Sequence, residues 1–99
     1  MCLRQNLITS IEGLEGNTSL KELDLYDNQI NKIENIPTSL EFLDLSFNNI
    51  RTLENLSNLQ NLKQLYLVSN KISSINKELD KLQNLTLLEL GSNRIRVII

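Results

Sequence analysis

Leu40-Glu41-Phe42-Leu43-Asp44-Leu45-Ser46-Phe47-Asn48-Asn49-Ile50 is the stretch that decides how this chain folds. In Leu43-Asp44-Leu45 apolar and polar residues alternate, which is the side-chain period of a strand, so both leucines face one way and Asp44 the other. Past Asn48 the period changes. Ile50, Leu53, Leu56, Leu59 and Leu62 recur at every third position, a spacing that suits a tight 3₁₀-like or extended path and needs no long helix. Leu62 then opens the same frame again.

Working outward, the frame recurs as Leu20-x-x-Leu23-x-Leu25-x-x-Asn28-x-Ile30, as Leu62-x-x-Leu65-x-Leu67-x-x-Asn70-x-Ile72 and as Leu85-x-x-Leu88-x-Leu90-x-x-Asn93-x-Ile95, and a shortened copy carries Leu3, Asn6 and Ile8. The asparagines at 6, 28, 48, 70 and 93 are 22, 20, 22 and 23 residues apart. This pattern resembles the short class of leucine-rich repeat. The fold expected is therefore an α/β solenoid of about five repeats of about 22 residues, with short parallel strands on the concave face, a 3₁₀ or extended convex side and no obvious caps. Each frame asparagine stands where the chain leaves the strand, and its amide can satisfy backbone groups of adjacent coils that would otherwise be buried unpaired. An asparagine ladder is the expectation.

Departures from the frame fall outside the strands. The second full return is two residues short and contains Pro37, whose missing N–H is tolerable there. The return through Asn76 to Leu79 is one residue longer than the frame, and a small bulge is expected to absorb the excess. Gly13 and Gly16 read as turn residues of an irregular first return. The sequons at Asn17, Asn55 and Asn84 read as chance in a chain rich in Asn, Ser and Thr.

Ninety-nine residues allow one domain, 1–99, and the uncapped frame at both ends suggests a fragment of a longer solenoid whose open ends could pair with another copy. A net charge of −2 argues against nucleic-acid and anionic-membrane binding, and no apolar run is long enough for a membrane span. One cysteine, Cys2, excludes an internal disulfide, and the opening residues lack the apolar core of a signal peptide, so a cytoplasmic or nuclear setting is expected. With no histidine, one thiol and no glycine-rich phosphate loop, neither a cofactor, a metal site nor catalysis is expected. Asp24 and Asp44 stand one repeat apart, superficially a carboxylate pair, but on an open face with nothing to exclude water.

Function in such a scaffold falls to the residues that packing leaves free. The middle positions of the strands form a column, Cys2, Asp24, Asp44, Tyr66 and Glu89, flanked by Arg4, Tyr26, Ser46, Val68 and Gly91 on one side and Glu22, Phe42, Gln64 and Leu87 on the other. Four acids, Glu22, Asp24, Asp44 and Glu89, oppose only Arg4, and Tyr26, Phe42 and Tyr66 supply three of the chain's four aromatic residues. The bland reading is that Asp, Glu and Tyr merely keep a strand face solvent-compatible. Three aromatic residues exceed what solubility requires, which favours a protein-binding face formed by Asp24, Tyr26, Phe42, Asp44, Tyr66 and Glu89 for a partner with a basic surface. Phe47 reads instead as a core or edge residue of the turn.

At Leu3-Arg4-Gln5-Asn6-Leu7-Ile8, Glu22-Leu23-Asp24-Leu25-Tyr26-Asp27-Asn28-Gln29-Ile30, Leu43-Asp44-Leu45-Ser46-Phe47-Asn48, Leu67-Val68-Ser69-Asn70-Lys71-Ile72-Ser73 and Leu88-Glu89-Leu90-Gly91-Ser92-Asn93-Arg94-Ile95-Arg96 the chain resembles the protein phosphatase 1 regulatory subunit 7 family. The resemblance implies a non-catalytic scaffold that binds the catalytic subunit of protein phosphatase 1 through acidic and aromatic concave residues. By repeat position these would be Asp24, Asp44, Tyr66 and Glu89, with Tyr66 where that family tends to carry Phe. About half of that family's repeats and its closing cap are missing. The short Arg-Val-x-Phe docking motif of other regulators is absent too, since Arg96-Val97 is followed by Ile98-Ile99. A cytoskeletal or ciliary adaptor of the same repeat class, or a truncated fragment without independent activity, are the competing readings.

Overall fold

The leucine frame produces one stack of coils. The computed structural model describes residues 1–95; the Arg96-Val97-Ile98-Ile99 end lies outside them. Each Leu-x-Leu contributes a strand three residues long: β1 (Glu22–Asp24), β2 (Phe42–Asp44), β3 (Gln64–Tyr66) and β4 (Leu87–Glu89). The strands are parallel, in the order β1-β2-β3-β4, and Leu23, Leu43, Leu65 and Leu88 pair in exact frame register. Cys2 makes an isolated parallel bridge to Asp24, the start of a further strand in the first coil. Register is imposed by burial, because a shift of one residue would turn every inward leucine out to solvent.

The inward positions form one continuous core. Leu23, Leu43 and Leu65 are fully buried, as are Ile30, Ile50 and Ile72 beyond the asparagines. The convex positions at a spacing of three, Leu53, Leu56, Leu59 and Leu62, are 0 or 1% exposed. The flanking coils contribute half-buried Leu3, Ile8, Leu14, Leu20, Leu79, Leu85, Leu88, Leu90 and Ile95. Ile75, equivalent in frame to the buried Ile33 and Leu53, is 55% exposed, for no described return path covers its outer side.

The asparagine ladder is present and regular. Oδ1 of Asn28, Asn48, Asn70 and Asn93 accepts from the backbone N–H of Ile8, Ile30, Ile50 and Ile72, one coil earlier, at 3.0–3.1 Å. Nδ2 of the same residues donates to a carbonyl of the preceding coil and to one of its own, as Asn48 does to Leu25 and Leu45. The residue before each ladder asparagine is left-handed: φ is 57° at Gln5, 60° at Asp27, 57° at Phe47, 57° at Ser69 and 55° at Ser92. This conformation swings the chain out of the strand.

The convex side holds a second column that the sequence reading did not separate. Asn35, Asn55 and Asn76 each donate Nδ2 to the carbonyl of the preceding coil, at Ile11, Ile33 and Leu53 respectively. Gly13 occupies the corresponding place in the first return and, like Asn35 and Asn55, has positive φ, which supports its turn role. Asn55 and Asn84 thus have structural work, Asn84 donating to Gln60. Pro37 is buried in the shortened return. The one-residue excess is absorbed by a 3₁₀ helix, Lys77–Lys81, rather than by a bulge; Asn76 caps it by accepting from the Glu78 N–H. The Glu78 carboxylate in turn accepts from the N–H groups of Leu56 and Ser57. Among the described residues this is the sole helical element, so the remaining returns are turns and extended segments.

Candidate protein-binding face

The middle residues of the Leu-x-Leu triplets, each the last residue of its strand, lie side by side, Asp24 against Asp44, Asp44 against Tyr66 and Tyr66 against Glu89. Parallel pairing places each about 4.8 Å from the next. Their exposures differ. Glu89 is exposed, Asp24 and Tyr66 are half-buried, and Asp44 is only 7% exposed. Asp44 Oδ1 accepts from the Ser46 N–H at 2.9 Å, and Asp24 Oδ1 accepts from the Tyr26 N–H at 3.1 Å, so both aspartates close the end of their own strand. The second Asp44 oxygen has no hydrogen bond among the described residues and is not sealed from solvent. Asp44 therefore offers one open acceptor at the floor of the face rather than a projecting side chain.

The aromatic residues form two pairs. Phe42 and Tyr66 meet with centroids 5.4 Å apart and rings inclined at 48°. Tyr26 meets Phe47 at 5.0 Å and 51°. Tilted pairs at this separation suit the ring quadrupole and hold each other in place. Phe47, which the sequence reading put in the core or edge of the turn, is 45% exposed and belongs to this surface as its edge. The one available signal was compositional: it is the sole aromatic in a position otherwise held by Gln5, Asp27, Ser69 and Ser92.

Charge is uneven across the face. Arg4 Nε lies 2.6 Å from Asp24 Oδ2, and its guanidinium covers the Tyr26 ring at 4.9 Å. The hydrogen bond to Asp24, then the charge of Asp24, holds Arg4 still more firmly protonated than usual. Among the described residues Glu22, Asp44 and Glu89 form no ion pair, so most of the acidity of the face is uncompensated. At the start of the strands Glu41 bridges Lys21 and Lys63 at 3.7 and 3.2 Å, beside a groove of about 230 Å³ that Glu22, Phe42 and Gln64 also line. Lys63, by hydrogen bond and charge, and more weakly Lys21, hold the Glu41 carboxyl below the ordinary carboxylate range. Among the described residues no cluster of three or more His, Cys, Asp or Glu could hold a metal ion, and no helix is long and apolar enough to cross a membrane.

A family model described as leucine-rich repeat matches residues 1–99. The chain belongs to the leucine-rich repeat family. This leucine-rich repeat chain is 42% identical, over 99% of its length, to the protein phosphatase 1 regulatory inhibitor subunit PPP1R7 homolog of Arabidopsis thaliana. It is 47% identical, over 60% of its length, to the protein phosphatase 1 regulatory subunit SDS22 of Saccharomyces cerevisiae. The chain spans 32% of the plant relative and 19% of the yeast one. Among solved structures, an internalin, InlF, of Listeria monocytogenes superposes with a TM-score of 0.82 at 31% identity, covering 92% of this chain and 27% of the internalin. The leucine-rich repeat solenoid is thus shared with proteins as unlike as an internalin and a phosphatase regulator, and the similarity to the plant regulator runs through 99% of the chain.

Proposed function

We propose that this chain is a non-catalytic regulatory module that binds the catalytic subunit of protein phosphatase 1 in the cytoplasm or nucleus. Its binding residues are Asp24, Tyr26, Phe42, Asp44, Tyr66 and Glu89. The observation that carries this reading is the juxtaposition, on one open strand face, of carboxylates lacking a cation among the described residues with two aromatic pairs, in a chain similar throughout to a regulatory subunit of that phosphatase. Rigid aromatic rings supply area at little entropic cost, and uncompensated acids select a basic partner.

The test is calorimetric titration against the phosphatase catalytic subunit, with a Tyr66→Ala/Glu89→Lys variant alongside. Those two positions are used because neither side chain caps a strand. Saturable binding by the chain, weakened about tenfold or more in the variant, is the expected result. A folded chain that takes up no phosphatase would end the proposal. Light scattering of each sample sets the oligomeric state, because stacking of a second copy on the half-buried leucines of the outer coils would compete.

A further inference from the structure

Five consecutive coils place a left-handed residue before the ladder asparagine, and four of them use a polar side chain there. The left-handed slot is a demand of the coil, met by whatever residue stands in it. Phe47 fills it at φ 57° with a bulky ring, a backbone conformation that residues other than Gly, Asn and Asp rarely adopt. The ring does not serve the core, being 45% exposed. Nor does it serve the ladder, since the neighbouring Asn48 is fully bonded through Ile30, Leu25, Leu45 and Ser46 without it. Its recorded ring partner is Tyr26, which carries Arg4 above it. A strained position that packing does not require points to use at a surface.

We propose that Phe47 joins Tyr26 in an apolar ledge at the end of the strands and so adds one contact residue for the same phosphatase subunit to the face proposed above. This rests on the function proposed above. Asp44 stands close to the ledge, its Oδ1 holding at 2.9 Å the N–H of Ser46, the residue before Phe47. The segment it fits is basic with an apolar side chain close to its cation: the apolar group covers Phe47 while the cation faces Asp44. Charge decides for such a segment, because Asp27 and Asp44 adjoin the ledge and Arg4 is already committed to Asp24.

The experiment compares wild type, Phe47→Asn and Tyr66→Ala/Glu89→Lys in calorimetric titrations against the phosphatase catalytic subunit, with Tm and light scattering on each. Asparagine accepts the left-handed conformation, so Phe47→Asn should keep or raise Tm while weakening phosphatase binding about tenfold or more. Full affinity in Phe47→Asn, with loss in the double variant, overturns the ledge and leaves the functional reading standing. A folded wild type that fails to bind overturns both. A fall in Tm of about 5 °C or more in Phe47→Asn makes the ring structural and overturns the inference. A variant that loses only self-association identifies the occupant as a second copy, which also overturns it.

Discussion

The asparagine column at the strand ends and the one along the convex return do the same chemical task in unlike surroundings. Asn28, Asn48 and Asn70 are 6 or 7% exposed, and each uses both its oxygen and its nitrogen on adjacent coils. Asn35, Asn55 and Asn76 are reachable by water and give one inter-coil bond apiece, from the nitrogen. A hydrogen bond is worth its net gain over water, but a buried group stripped of its partner bears the whole desolvation penalty. Identical residues at similar spacing should therefore differ several-fold in importance.

Asn48→Ala tests the inner column most severely. It strands the Ile30 N–H, while Asn28, Asn70 and the Asp27 N–H still serve the Leu25, Leu45 and Ser46 carbonyls, and should cost roughly 2 kcal/mol in urea denaturation. A loss no larger than that of an outer-column variant would dissolve the distinction. Glu78→Ala comes next, at about 1 kcal/mol, since its carboxylate serves the Leu56 and Ser57 N–H groups as a capping side chain does and the freed groups lie only partly buried. Its effect sharpens the comparison by measuring one convex contact that uses charge. Asn55→Gly, which keeps the left-handed φ of 59° without strain, should cost about 0.5 kcal/mol, because solvent can replace its bond to Ile33.

The smallest effect expected is on pH dependence. Glu41 is exposed and held below the ordinary carboxylate range by Lys63 and Lys21, so its folded-state pKa is depressed relative to the unfolded chain. Its stabilising contribution is fully present above the unfolded-state pKa and disappears as pH falls through the lower folded-state value. Denaturation midpoints followed through that acidic window should drop slightly less in Glu41→Gln than in wild type. Equal slopes would show that the Lys21–Glu41–Lys63 row contributes nothing measurable, as is common for exposed ion pairs.

Much of this was legible from residue order. Leu23, Leu43, Leu65, the isoleucines after the asparagines and the spacing of three across Ile50 to Leu62 all lie inward as their periods require, because burial of apolar area acts at every repeat in the same direction. The acid and aromatic column could be drawn up in the same way, as alternation alone assigns the outward residues. Its members proved unequal. Asp44 sinks to 7% exposure while Asp24, likewise flanked by a coil on each side, stays half-buried, a difference that alternation cannot express. Phe47 escaped for a related reason: period predicts which side of a strand a residue takes, but the left-handed turn that follows has no period.

Strand identity, parallel register, the core and the inner ladder follow from local composition repeated at a near-constant interval, since hydrophobic burial and strand pairing both read that interval directly. Other features were decided only by the stacking of one coil on the next. The pairing of Tyr26 with Phe47, the commitment of Arg4 to Asp24, the outer asparagine column and the 3₁₀ helix that absorbs an extra residue each join groups about one turn apart or refit one turn to its neighbour. Such contacts depend on curvature and rise, which belong to the assembled solenoid and to no single repeat.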